Sequence, residues 1–315
     1  MTLLSIIIPI YNEEKVIPET YKRVDEVLKP LDISYEIIII DDGSSDRSYE
    51  ILSEIAESDS NLKVISFSRN FGHQAALTAG LDHAAGRAII TMDGDLQHPP
   101  ELIPILLEKW REGFEVVHTI RTYGRETGFI KKITASIFYK LLNRLAQVEI
   151  PSGAADFKLF DRKVVSSLKS MKERARFLRG LSMWVGYKQT CVEYEVAPRA
   201  AGETKYTLGK MIRLALDGIT SFSIFPLKLA AYLGFLVSFV SFIYLSYALY
   251  IKVIADKALP GWASVVIPML FLGGIQLFAI GILGEYIGRI YEEVKERPIY
   301  IVSKKRGFKD DRENG

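Results

Sequence analysis

Two uncharged apolar runs near the C-terminus restrict this chain more than any other feature. Leu229–Ile251 is 23 residues without a charge and Ala258–Gly284 is 27, where about 20 apolar residues suffice to cross a hydrocarbon core. A pair of buried core helices is the alternative, but uncharged runs above about 18 residues are rare in soluble proteins. The flanking charges set an orientation. The connector 252–262 holds two lysines, whereas Arg289, Lys295, Arg297, Lys304, Lys305, Arg306, Lys309 and Arg312 follow the second run, and Lys205, Lys210, Arg213 and Lys228 precede the first. The positive-inside rule then predicts an integral inner-membrane protein with two spans, about 229–251 and 263–287 within the region 227–288, and with both termini cytoplasmic. Residues 206–226 mix Lys210, Arg213 and Asp217 with Leu208, Met211, Ile212 and Phe222. That pattern suits an amphipathic helix on the inner membrane surface, or a helix packed between domains. A basic cytoplasmic tail is expected over 289–315.

The remainder, residues 1–205, reads as one cytoplasmic domain. The N-terminal Met1–Pro9 is apolar but lacks a basic leader and a small-residue cleavage site, so it reads as a strand rather than a signal peptide. Unbroken, β-branched runs recur at Leu4–Ile10, Tyr35–Ile40, Leu62–Phe67, Ala88–Met92 and Val116–Ile120, the pattern of strands covered on both faces. Between them lie helical segments, about Glu13–Lys29, Asp46–Ser58, His73–Ala84 and Pro100–Glu112. Alternating strand and helix predict an α/β fold with a mostly parallel sheet and right-handed crossovers. A net charge of +2 is too balanced for a nucleic-acid partner. The single cysteine, Cys191, excludes an intrachain disulfide framework and a thiolate metal cluster.

Ligands of open parallel sheets bind outside the carboxyl ends of the strands, and three polar clusters fall there. The first strand ends in Tyr11-Asn12-Glu13-Glu14, the second in Asp41-Asp42-Gly43-Ser44-Ser45-Asp46, the fourth in Asp93-Gly94-Asp95-Leu96-Gln97. Ser44, Ser45 and Asp46 are equally the residues of a helix N-cap. Together, though, the clusters crowd at least four carboxylates onto one edge, which is repulsive without a cation. Asp93 and Asp95 therefore read as ligands of a hard divalent ion, Mg²⁺ or Mn²⁺, completed by substrate phosphates. No G-x-G-x-x-G follows the first strand and no G-x-x-x-x-G-K-[ST] occurs, so neither a dinucleotide nor a P-loop site is indicated. Phosphates are left to the metal and to cationic side chains, with Arg121, Arg125, Lys131, Lys132, Arg199 and Lys205 as candidates or as ordinary solvated surface charges. The four histidines show no metal-ligand spacing, and no Ser/His/Asp arrangement is evident.

As a set, Ile8-Pro9-Ile10-Tyr11-Asn12-Glu13, Asp41-Asp42-Gly43-Ser44-Ser45-Asp46, Ser68-Arg69-Asn70-Phe71-Gly72-His73, Met92-Asp93-Gly94-Asp95-Leu96-Gln97-His98 and Gly202-Glu203-Thr204-Lys205-Tyr206 resemble the inverting family 2 glycosyltransferases of GT-A fold. Within them they are similar to the polyprenyl-phosphate branch, which contains dolichyl-phosphate mannose synthase and the GtrB-type bactoprenol glucosyltransferases. The resemblance covers nearly the whole chain, including Gly284-Glu285-Tyr286-Ile287-Gly288-Arg289 at the end of the second span. It implies that Pro9, Tyr11, Glu13, Asp41 and Asp42 hold the base and ribose of a nucleotide sugar. It implies that Asp93, Asp95 and Gln97 bind metal and diphosphate, and that Arg121, Arg199 and Lys205 lie near the phosphates. Asp156, in Gly153-Ala154-Ala155-Asp156-Phe157-Lys158, matches the residue that the family places near the acceptor, where it positions acceptor or sugar or acts as general base. The Gln-x-x-Arg-Trp motif of processive synthases is not matched by Arg179-Gly180-Leu181-Ser182-Met183-Trp184, which counts against a polysaccharide synthase.

The expectation is inverting transfer of one hexose, glucose from UDP-glucose as first choice, to an undecaprenyl or dolichyl phosphate. Two anchors and an interfacial helix would hold the site at the headgroup plane. Competing readings are a membrane-anchored glycosyltransferase with a soluble acceptor, a silent nucleotide-sugar sensor, and a translocation path. The last is disfavoured by spans without an intramembrane charge pair. Gly273, Gly274, Gly281 and Gly284 offer small-residue packing for a homo-oligomer.

Overall fold

The unbroken β-branched runs pair as their pattern demands. The computed structural model describes residues 2–122, 151, 153–171, 173–174, 176–195, 223–253 and 261–308, in two units, 1–218 with 298–315, and 219–297. In the first unit, β1 (Leu4–Ile10), β2 (Tyr35–Asp41), β3 (Leu62–Phe67), β4 (Ala88–Thr91), β5 (Val116–Thr122), β6 (Ala154–Asp161), β7 (Gln189–Glu195) and β8 (Val302–Arg306) form one sheet. Their order is β7-β5-β6-β4-β1-β2-β3-β8. β1 pairs in parallel with β2 and β4, β2 with β3, and β5 with β7, whereas β6 and β8 run antiparallel to their neighbours. The chain moves outward from β1 to β3, then crosses back to place β4 on the other flank of β1. This reversal opens a crevice at the carboxyl ends of β1 and β4, the switch point where such sheets bind ligands.

Helices α1 (Ile17–Leu28), α2 (Ser48–Ser58), α3 (His73–His83) and α4 (Ile103–Arg111) make the crossovers. Ile6, Ile8, Ile37, Ile39, Val64 and Ile90 pack on one face of the sheet against Val24, Leu28, Leu52, Leu106 and Leu107 of α1, α2 and α4. α3 covers β1 and β2 so closely that a Cβ on Gly80 would stand 2.1 Å from Ile7 Cγ2. Pro9 is tolerated in a central strand because the β4 ladder has already ended. The last bond there, from Met92 N–H to Ile7 O, precedes the missing N–H.

Three boundaries differ from the sequence reading. α1 begins at Ile17 rather than Glu13, because the N–H groups of Asn12, Glu13 and Glu14 are taken by Ser44 Oγ, Ser48 Oγ and Asp46 Oδ2 of the next crossover. Prolines at 99 and 100 open with a 3₁₀ turn, Pro100–Leu102, before α4. Strands β6, β7 and β8 were not anticipated: Asp156 and Lys158 interrupt the apolar run of β6, and β8 draws its residues from the expected basic tail. Two further helices, α5 (Arg162–Ser170) and α6 (Leu178–Trp184), follow β6.

The second unit is a helical hairpin, α7 (Phe225–Val253) and α8 (Trp262–Val294). Tyr286 Oη donates to Ser223 O at 2.5 Å, joining the end of α8 to the start of α7. Phe225–Ala248 and Phe271–Val294 are long and apolar enough to cross a membrane. Phe235, Met269 and Leu277 are each more than 70% exposed, whereas a soluble core helix of this composition would turn them inward. The expected interfacial helix falls almost wholly on residues outside those described.

Candidate active site

At the tips of β1 and β2 the polar residues satisfy one another. Asp41 is buried and accepts from Ser44 N (3.0 Å) and Ser66 Oγ (2.7 Å). Asp42 is buried and accepts from the N–H groups of Phe71 (2.7 Å) and Gly72 (2.9 Å) at the start of α3. Burial pushes the Asp42 carboxyl above its ordinary value, against those two bonds. Asn12, at φ +53°, takes Ser45 N–H on its side-chain oxygen and gives its own N–H to Ser44. Gly43 sits at φ +69°, and a Cβ there would lie 2.4 Å from the carbonyl carbon of Arg69, so only glycine lets the two loops pass. Tyr11 is 45% exposed at this tip. Pro9 is buried in β1, and the Glu13 carbonyl receives the first N–H groups of the α1 turn.

The tip of β4 is unlike that. Asp93 Oδ1 is buried and accepts no hydrogen bond among the described residues. Three nitrogens converge on this carboxylate: His73 Nε2 at 3.4 Å from Oδ1, and His98 Nε2 and Arg121 Nη2 at 3.5 and 3.7 Å from Oδ2. His98 is fully buried and stacks on Phe157. Its Nδ1 accepts from Asp93 N–H at 2.8 Å and its Nε2 lies 2.7 Å from Arg121 Nη2, so both ring nitrogens face donors and the imidazole ties the β4 turn to β5. Burial keeps this imidazole below its ordinary pKa. Arg121 is steered by Tyr194 Oη, which accepts from its Nε at 3.0 Å. The turn itself is strained. Leu96 adopts φ +61°, Asp95 Oδ1 accepts from Gln97 N at 3.1 Å, and Thr20 Oγ1 of α1 donates to Gly94 O at 2.9 Å.

Asp156, on β6, is 5% exposed and clamped by Arg179 of α6, whose Nε and Nη2 donate to its two oxygens at 2.8 and 2.7 Å. His73 Nε2 stands 3.5 Å from Asp156 Oδ2 and so lies between the two aspartates. Burial opposes ionisation of Asp156, but the Arg179 charge and the bonds from His73 and Arg179 outweigh it and hold the carboxyl well below its ordinary range. For His73, burial likewise opposes the charge, and the bond to Asp156 with the Asp93 and Asp156 charges raises the imidazole above its ordinary value. Beneath them Lys158 is fully enclosed, donates to Ser182 Oγ at 2.8 Å, and is pushed down to about 7 by burial, partly offset by Asp156.

An orphaned buried carboxylate oxygen beside a second aspartate fits a hard divalent cation that takes its remaining oxygens from substrate. Among the described residues no group of three or more His, Cys, Asp or Glu side chains could cage a metal alone.

The structure thus brings Asp93, Arg121 and Asp156 together, with Asp95 and Gln97 in the adjoining turn. Arg125, Lys131, Lys132, Arg199 and Lys205 lie outside the described residues. Sequence reasoning missed His73, His98 and Arg179. The first had a usable signal, since it opens a helix at the carboxyl end of β3; Arg179 had none, because only the packing of α6 on β6 brings it to Asp156.

Comparison with known proteins yields two family models. One, described as glycosyl transferase family 2, matches residues 5–169, and one described as the GtrB C-terminal hairpin matches residues 225–290. The glycosyltransferase YkcC of Bacillus subtilis is 51% identical over 308 residues, covering 98% of this chain and 95% of its own. A prophage bactoprenol glucosyl transferase homolog of Escherichia coli is 46% identical over 301 residues, covering 96% and 98%. Among solved structures, glucosyl-3-phosphoglycerate synthase of Mycobacterium tuberculosis, in complex with Mn²⁺, UDP and glucosyl-3-phosphoglycerate, aligns over 70% of this chain and 78% of its own, at 20% identity and a TM-score of 0.45.

Proposed function

This chain belongs to glycosyl transferase family 2 and carries a GtrB C-terminal hairpin, and from that premise we propose that it transfers one hexose, glucose from UDP-glucose first, to a membrane polyprenyl phosphate with inversion. The family makes it a glycosyltransferase; the lipid acceptor is supported by relatives named bactoprenol glucosyl transferase, which match it over nearly their full length. The observation that carries the site assignment is the Asp93 carboxylate at the β1/β4 switch point, which draws three nitrogens to within 3.7 Å while its buried Oδ1 accepts no hydrogen bond among the described residues.

The roles follow from charge. Asp93 and Asp95, with Gln97 beside them, would hold Mg²⁺ or Mn²⁺, which supplies Lewis-acid neutralisation of the leaving diphosphate. Arg121, aimed at Asp93 by Tyr194, adds a guanidinium for the same phosphates. Arg125, Lys131, Arg199 and Lys205 are proposed to extend this cationic lining. The tip of β1 and β2, with Pro9, Tyr11, Glu13, Asp41 and Asp42, is proposed to receive base and ribose. There the exposed Tyr11 ring offers contact area, and Asp41 and Asp42 keep the loops in place.

Asp156 positions rather than abstracts. A carboxylate held well below its ordinary pKa and gripped at both oxygens by Arg179 is a poor proton acceptor. None is needed, since a lipid phosphate, with a second pKa near 6, is largely a dianion at neutral pH. The hairpin α7–α8 is proposed to anchor the catalytic domain at the cytoplasmic face, so that donor and lipid meet at fixed range.

The test is transfer from a panel of tritiated nucleotide sugars to membranes containing undecaprenyl or dolichyl phosphate, with EDTA and Asp95→Ala as controls. Label in the organic phase, lost in both controls, is expected. Label confined to soluble glycans would replace the lipid acceptor with a soluble one. No turnover with any donor would favour a silent sensor.

A further inference from the structure

The first turn of α3 borders a cavity of about 350 Å³ that none of the roles above uses. His73, Arg174 and Arg176 line it, Phe71 and Ile299 contribute apolar surface, and no carboxylate is among the described lining residues. Arg176 is held in place, because its Nη2 donates to Leu168 O at 3.3 Å and to Met171 O at the end of α5. Its Nε is buried and has no hydrogen-bond partner among the described residues. Two arginines on the cavity wall, one of them held by backbone carbonyls, with no acidic residue among the described lining residues, define a receptor for an anion. The apolar wall beside it favours an anion attached to hydrocarbon over a fully hydrated one.

His73 links this cavity to the reaction centre. The same imidazole that lines the cavity stands 3.4 Å from Asp93 and 3.5 Å from Asp156. We propose that the cavity receives the phosphate of the polyprenyl phosphate acceptor, with Arg174 and Arg176 pairing its oxygens and Phe71 and Ile299 meeting the first carbons of its chain. This rests on the lipid-phosphate reading above and deepens it. Two guanidiniums resolve a conflict in that reading: a dianionic acceptor beside the ionised Asp156 is repelled unless cations stand on its other side. In the transfer, a phosphate oxygen forms the bond to the anomeric carbon, and the bond from that carbon to the nucleoside diphosphate breaks. The electron pair leaves on the diphosphate, the acceptor becomes a monoanionic diester, and no proton moves.

The experiment uses the full chain in phosphatidylcholine nanodiscs with undecaprenyl phosphate and tritiated UDP-glucose. Arg174→Gln is expected to raise the acceptor KM about 10- to 100-fold, the loss of one charge-assisted contact, and to move the donor KM by less than about twofold. Arg174→Lys should recover part of the loss, and melting curves of each variant check folding. Farnesyl phosphate binding, measured by calorimetry, should be lost in Arg174→Gln and competed by undecaprenyl phosphate. If the wild type labels lipid while Arg174→Gln keeps its acceptor KM, the proposal falls and the lipid reaction stands. If the wild type labels no lipid and inorganic phosphate competes as well as farnesyl phosphate, the lipid reading falls and the cavity is a site for free anions, which overturns this assignment as well.

Discussion

The acidic tips of β2 and β4 carry nearly the same chemistry in sequence, paired aspartates and a glycine after an apolar strand, and reach opposite states in the fold. Around β2, each carboxylate of Asp41 and Asp42 is bonded by N–H and hydroxyl groups of the neighbouring loops. Around β4, Asp93 keeps a buried oxygen that accepts no hydrogen bond among the described residues, with His73, His98 and Arg121 drawn toward the carboxylate. A buried polar group left unsatisfied costs stability, and its persistence at the switch point supports the ligand-binding role proposed for this tip. The satisfied tip builds the site; the unsatisfied one is available to act.

The sharpest way to break this contrast is to exchange charge for amide at each tip. Asp93→Asn should lower sugar transfer about 1,000-fold, because it removes electrostatic stabilisation of the leaving group, while the melting temperature stays within about 2 °C. Steady-state transfer and calorimetry on the same preparation check both halves; comparable losses of activity and stability would make Asp93 structural. Next in size, Arg179→Ala strands Asp156 as a buried, uncompensated carboxylate and should cost about 3–5 kcal/mol in urea unfolding, most of it recovered by adding Asp156→Asn. The pH dependence follows the same pair. The native Asp156 carboxyl lies well below its ordinary 3.8, so below that value the unfolded chain binds more protons and stability falls with pH through the folded pKa, a slope that Asp156→Asn should flatten.

At the satisfied tip, Asp42→Ala leaves the Phe71 and Gly72 N–H groups without their acceptor and should cost about 2–3 kcal/mol, with transfer falling only as far as the loop loosens. A large fall in transfer with unchanged stability would move Asp42 from scaffold to substrate contact. The smallest effect is expected below the site. Lys158 titrates near 7 rather than 10.5, so the unfolded chain binds more protons between those values and stability rises with pH across them. Lys158→Met should remove that rise and add about 1–2 kcal/mol at pH 7, read from chemical denaturation at pH 7 and 9.

Much of this was legible in one dimension. Five of the eight strands lie where β-branched runs stand in the sequence, since a strand buried on both faces leaves an unbroken apolar signature. The strand β6 escaped because its buried residues include Asp156 and Lys158, whose burial depends on Arg179 and Ser182 arriving from α6. The metal-binding aspartates proposed here were legible from crowding alone. His73 was signalled only by its place at the start of α3, after β3, and Arg179 by nothing local, because only the packing of α6 on β6 brings it to Asp156.

The sequence by itself determined the class of fold, the two long apolar helices and the acidic edge, because each is written in local composition and period. Only the tertiary structure decided which aspartates are spent on the scaffold and which remain open. That distinction depends on partners 25 to 30 residues away, such as Ser66, Phe71 and Gly72, and on α3 and α6 bringing His73 and Arg179 to one point on the sheet. Hydrogen-bond satisfaction is a property of neighbours in space, and no local pattern encodes it.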